Sequence, residues 1–286
     1  MKGGGLTSGA AFLRNAVEDY FREVLEIKKI LVNEELDKNL RWTPALRFVM
    51  NGHIHVFVEP SEDSPYPAIL RMRLANLLHY PEPIQVYIVC PEEIISTGSH
   101  RELIKEMKEH GFGLFTVNRD GKAHKEFAAV PIVQVIAHED FKAHIKDVKY
   151  LALRQKLIEA YGDYSNKPTS GVTTLTEIVE GLVNQGAKEA AKKGFINPAD
   201  ANANLAKKLD AMLNSPQCGN AKAAIATVRG YVSNHRNPAH HWPKDKKRAR
   251  KKYVDCRNSF LSGLEAIIGF REAIRNVGLT GRLPLT

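Results

Sequence analysis

The chain predicts an α+β protein of two domains, an α/β half over 1–160 and an all-helical half over 172–286, joined by a linker at 161–171. Three observations predict this division. Before position 160, apolar runs of strand length alternate with helical periodicity. Beyond position 171, apolar residues recur only at the three- and four-residue spacing of helix faces. Between the two, Tyr161-Gly162-Asp163-Tyr164-Ser165-Asn166-Lys167-Pro168-Thr169-Ser170-Gly171 is rich in turn formers. At 286 residues and 43% hydrophobic content the chain can build two globular cores, and it shows no internal repeat.

The first half opens with a predicted helix in which Phe12, Ala16, Tyr20, Val24 and Leu31 share a face. Strands Ala45–Met50 and Ile54–Val58 follow around Asn51-Gly52, a hairpin signal. A helix through Arg71–Leu78 leads to Ile84–Cys90, an almost unbroken apolar run suited to a strand buried on both faces. A helix at Arg101–His110, a strand at Gly113–Asn118, the turn Arg119-Asp120-Gly121 and a strand near Val130–Ile136 complete the half. In the second half, helices are predicted around Leu175, Ile178, Val179 and Leu182, around Leu205, Leu209, Met212 and Leu213, and around Ile225, Val228 and Val232. The longest runs from Asp245 to Asn276, with Ala249, Tyr253, Phe260, Leu264, Ile267 and Ile268 on one face.

Composition narrows the function classes. No apolar run reaches the length of a membrane span, and Met1-Lys2 followed by glycines lacks the apolar core of a signal peptide, so a cytoplasmic protein with no membrane partner is expected. Cys90, Cys218 and Cys256 are odd in number and far apart, which suits reduced packing thiols and offers no zinc pattern. A formal charge of +9 and a pI near 9.3 favour polyanions, and without a lipidation or amphipathic anchor motif the polyanion is nucleic acid.

Arg236-Asn237-Pro238-Ala239-His240-His241 is the segment richest in chemistry. Arg offers a planar fork of donors to phosphate oxygens, His gives or takes a proton near neutral pH, and Asn can hold either group in place. The same residues also read as a helix start, with Asn237 as N-cap, Pro238 at the first helical position and the histidines as loop residues. After them comes a basic run, Lys244, Lys246, Lys247, Arg248, Arg250, Lys251 and Lys252, in the first turns of the last helix. Cations at a helix N-terminus are disfavoured by about 0.3–1 kcal/mol each, a penalty that an arriving phosphate removes. A charge run by itself is equally a solvated face.

The spacing Arg236-Asn237, three residues, His241 resembles the signature of the HEPN superfamily, many of whose members are RNA-cutting toxins and antiviral effectors. Four helices over roughly 170–277, with the motif between the last two, resemble the HEPN bundle. Pro238 and the doubled His240-His241 depart from the usual pattern. Family spacing makes His241 the reacting imidazole, with His240 the alternative and His235 a structural or substrate-facing neighbour. The resemblance implies an endoribonuclease with catalytic Arg236, Asn237, His241 and His240, no cofactor and no metal, and Lys244 to Lys252 as its nucleic-acid-binding cations. It further implies an RNA substrate, a homodimer with facing motifs, and a toxin or abortive-infection role in antiviral defence.

The order of elements in the first half resembles restriction-endonuclease-like domains, including Gly111-Phe112-Gly113-Leu114 leading into a late strand. Such nucleases hold a divalent cation with an Asp and a Glu-x-Lys. Here Ala45 follows Pro44 where the Asp would sit, and Glu59-Pro60-Ser61 supplies the Glu without the Lys, so the half is expected to be a non-catalytic sensor or partner-binding domain. Arg71 and Arg73 are available to anions there, although a structural salt bridge with Glu59 is the preferred reading. A Rossmann-like nucleotide sensor is the alternative parentage, without a clear glycine-rich phosphate loop. Two other functions stay open: a HEPN-like scaffold that holds nucleic acid without cutting it, and a metal-dependent DNA nuclease acting through the first half.

Overall fold

The computed structural model describes residues 7–34, 42–78, 80, 82–96, 98–235 and 246–283. The protein is mixed α/β and divides into two units, 1–137 with 243–254, and 138–242 with 255–286.

The first unit is a six-stranded sheet in chain order. Its first helix, α1 (Ser8–Glu23), starts where the Thr7 hydroxyl accepts the Ala10 N–H at 3.1 Å. The buried face is Ala10, Leu13, Ala16, Val17 and Phe21, rotated from the predicted one. Phe12 is 47% exposed, the helix ends at Glu23, and Leu31 falls in the two-residue strand β1 (Leu31–Val32). The register of β2 (Leu46–Met50) with β3 (Ile54–Pro60) is set by a tight turn in which the His53 N–H reaches Met50 O at 3.2 Å. Asn51 (φ 53°) and Gly52 (φ 73°) take the left-handed conformation, which asparagine tolerates and glycine, without a Cβ, adopts freely.

Helix α2 (Ala68–Leu78) returns the chain to β4 (Ile84–Pro91), parallel to β3, and α3 (Glu92–Ser96) with α4 (Arg101–Glu109) returns it to β5 (Gly113–Val117), parallel to β4. Both β4 and β5 are buried on both faces, as their apolar runs require. On one face Leu13, Val17 and Phe21 of α1 pack against Phe48, Val56, Val58, Val89 and Phe115. On the other, Leu70 and Leu77 of α2 and Met107 of α4 pack against Phe57, Val86, Ile88 and Leu114. The last strand, β6 (Ala123–Phe127), is a polar edge strand antiparallel to β5, not the predicted segment 130–136. Pro131, which has no N–H for a ladder, begins a 3-10 turn at Ile132–Gln134 instead, and Val130, Ile132 and Ile136 are buried without being strand.

The second unit is helical: α5 (His138–Ile145), α6 (Leu151–Asn166), α7 (Pro168–Lys192), α8 (Pro198–Ala201), α9 (Leu205–Asn214), α10 (Lys222–His235) and most of α11 (Lys246–Asn276). The expected linker is therefore two helix ends that meet at Lys167. Turn-forming composition is outweighed by two aromatic anchors, Tyr161 stacked on Phe141 at 4.2 Å and Tyr164 set against Phe260 at 4.4 Å. Pro168 stands at the first position of α7, where its missing N–H costs nothing. At Gly171 a Cβ would lie 2.4 Å from Tyr164 Cβ and 2.6 Å from its backbone, so only glycine permits this approach of α6 and α7. Among the described residues Cys90, Cys218 and Cys256 are buried and none is in a disulfide. Burial pushes the Cys90 thiol up to about 12, which fits a packing role. No helix among the described residues is long and apolar enough to cross a membrane.

Candidate nucleic-acid interface

The basic run begins α11, and that helix contributes its residues up to Val254 to the first unit and the rest to the second. Arg248 and Lys251 are exposed and Lys252 is half-buried, while Tyr253 is 3% exposed within the α1-side core of the sheet unit. Tyr253 lies on the apolar face predicted for the helical half, yet its aromatic body closes the sheet core while its polar tip keeps a partner. Its hydroxyl lies 3.2 Å from His53 Nε2, and His53 Nδ1 lies 2.7 Å from Asn51 O. Burial moves the Tyr253 hydroxyl well above the usual phenol range, so it stays protonated. One side of the helix start is thus anchored to the β2–β3 turn, and Arg248 and Lys251 face solvent beside it.

Of the other predicted cations, Lys246, Lys247 and Arg250 lie on the helical backbone of α11. Arg236, Asn237, His240, His241 and Lys244 lie outside the described residues. They fall in sequence between the end of α10 at His235 and the start of α11 at Lys246.

The expected salt bridge of Glu59 with Arg71 or Arg73 is replaced by a different arrangement. Glu59, half-buried near the end of β3, accepts the Trp42 indole N–H at 3.3 Å and the Ala45 backbone N–H. Burial pushes its carboxyl up to about 7, and the hydrogen bonds from Trp42 and Ala45 and the nearby Arg73 charge only partly offset this. Arg73 lies 5.9 Å over the Trp42 ring. Arg71 instead approaches Glu106 at 3.8 Å and lies 5.9 Å over Tyr66, whose hydroxyl is 2.7 Å from His110 Nδ1. The pairing of Leu46 with Val58 sets Ala45 at the level of Glu59, so an apolar residue stands where a second carboxylate would help bind a divalent cation. Among the described residues no three His, Cys, Asp or Glu side chains are grouped to hold a metal ion.

Sequence reasoning passed over a cluster in the helical unit, where Lys149 and the helix residues Arg271 and Arg275 line one cleft. The four-residue spacing of the two arginines was its only signal, and such spacing is common on solvated helix faces. No protein-family model, curated protein or solved structure matches this chain.

Proposed function

We propose that the protein is a metal-independent endoribonuclease of HEPN type, acting as a homodimer in toxin or abortive-infection defence, with the sheet unit as its sensor or partner-binding domain. The observation that carries this reading is the run Arg236-Asn237-Pro238-Ala239-His240-His241, which follows α10 directly in the sequence and precedes the basic start of α11. The exposed Arg248 and Lys251 support it by offering charge to a phosphate backbone.

In the proposed reaction a ribose 2′-oxygen forms a bond to the adjacent phosphorus and the bond from phosphorus to the 5′-oxygen breaks. One imidazole removes the 2′-hydroxyl proton, and an acid delivers a proton to the departing 5′-oxygen. The products are a 2′,3′-cyclic phosphate and a 5′-hydroxyl. Arg236 holds the charge that builds on the phosphoryl oxygens, His241 manages one of the two protons, and a second copy of the motif supplies the other group. A positioned acid or base contributes about 10²–10⁴ in rate, and a prearranged cation adds a comparable factor.

The test is labelled single-stranded RNA with excess chelator, wild type against Arg236→Ala/His241→Ala, with product ends identified. Cyclic phosphate from the wild type alone is expected, with DNA of the same sequence left intact because it has no 2′-hydroxyl. RNA binding without cleavage would replace the reading with a scaffold role. Magnesium-dependent DNA cleavage abolished by Glu59→Gln would replace it with a nuclease in the sheet unit.

A further inference from the structure

The helical unit carries a cleft of about 390 Å³ between the segment that leads into α6 and the last turns of α11. That volume lies in the range of small-ligand sites. Val148 and Leu153, both buried, and half-buried Ile268 form its apolar wall. Three cations line the remainder, Lys149, Arg271 and Arg275, together with the carboxylates Asp147 and Glu272. None of these five charged groups forms an ion pair within 4.0 Å among the described residues. Such groups normally neutralise one another when they share a depression in the surface.

Arg271 is the most constrained. Its Nε donates to Gly281 O at 3.1 Å, and its guanidinium lies 4.6 Å over the Tyr150 ring. Among the described residues its two terminal nitrogens have no hydrogen-bond acceptor, so the fork is oriented with donors to spare. Gly281 (φ 58°) sits against both arginine stems, where a Cβ would come within 3.1 Å of Arg271 Cγ and 3.3 Å of Arg275 Cγ. The two arginines are four residues apart on one helix face, a spacing at which like charges repel. Burial first and Arg275 second hold the Arg271 guanidinium below its ordinary range. A bound anion would relieve that repulsion.

We infer that the cleft binds a mononucleotide, with the phosphate on Arg271, Arg275 and Lys149, the sugar hydroxyls donating to Asp147 or Glu272, and the base against Val148, Leu153 and Ile268. A bare anion would use the cations and leave the carboxylates and the apolar wall without a partner. A nucleoside would leave the cations unused. The assignment is independent of the ribonuclease reading, because it concerns other residues and needs no cleavage.

Calorimetric titration of the full chain with adenosine monophosphate, adenosine and inorganic phosphate tests it. The monophosphate should bind at least about tenfold more tightly than either fragment, since adenosine lacks the charge-assisted contacts and inorganic phosphate lacks the burial of the base and the sugar contacts. Lys149→Ala/Arg275→Ala, both at exposed positions, should weaken the monophosphate by about tenfold or more, with unchanged circular dichroism, and Arg275→Lys should retain part of the affinity. Three results would overturn it: no monophosphate binding up to about 10 mM, equal affinity for the monophosphate and one of its fragments, or unaltered binding by the double variant.

Discussion

Two carboxylates show how local surroundings set charge. Glu59 is raised to about 7, first by burial, so the folded state binds its proton more tightly than the unfolded chain does. The folded state therefore loses stability as pH rises from the unfolded carboxylate range towards 7, by up to about 3 kcal/mol for a shift of this size. Glu59→Gln should abolish that slope, and a carboxyl resonance titrating below about 5 would refute the assignment. Glu189 behaves oppositely. Burial would raise it, yet the Thr280 hydroxyl and backbone N–H (2.6 Å), Gln185 (3.3 Å) and the Lys193 charge hold it below the usual range. Its contribution is present above the unfolded pKa and is lost as pH falls through the folded one. Glu189→Gln should cost about 1–2 kcal/mol and speed amide exchange at Thr280, whereas unchanged protection there would show that the tail is held by Leu279 packing alone.

At the scale of elements, the α6–α7 hairpin depends on backbone approach rather than on turn composition. Gly171→Ala should destabilise the fold by about 3 kcal/mol, the upper end of overpacking costs, because the atoms it meets include Tyr164 backbone. Gly162, in the middle of α6, has nothing within 4 Å of a built Cβ. Gly162→Ala should therefore stabilise by about 0.5–1 kcal/mol through helix propensity. Chemical denaturation of the two variants makes the comparison, and equal effects would remove the close approach as the reason for Gly171. The same opposition between composition and packing explains why α6 was unreadable. Its glycine and polar residues suggested a linker, while the partners of Tyr161 and Tyr164 are Phe141 and Phe260, which lie elsewhere in the sequence.

For the whole molecule, the excess of positive charge becomes a prediction about salt. If Arg248 and Lys251 each neutralise one phosphate, Arg248→Ala/Lys251→Ala should reduce the slope of log affinity against log salt for single-stranded RNA by about 1.4. An unchanged slope would move the RNA path away from the start of α11. The sequence by itself determined the mixed α/β character, the hairpin at Asn51-Gly52, the doubly buried β4, the helices α7, α9, α10 and α11, and the presence of Arg, Asn and two His side chains within 236–241. These are carried by local periodicity, by residues with few backbone options, or by side-chain chemistry, none of which needs a distant partner to be read. Only the tertiary structure decided that the helical unit begins at α5, that the edge strand is Ala123–Phe127, that Tyr253 belongs to the sheet core, and that Glu59 is buried against Trp42 rather than paired with Arg71. It also decided that Lys149, Arg271 and Arg275 share one cleft. Each of these depends on which residue far away in the chain fills the space beside a side chain, and that proximity is created by packing.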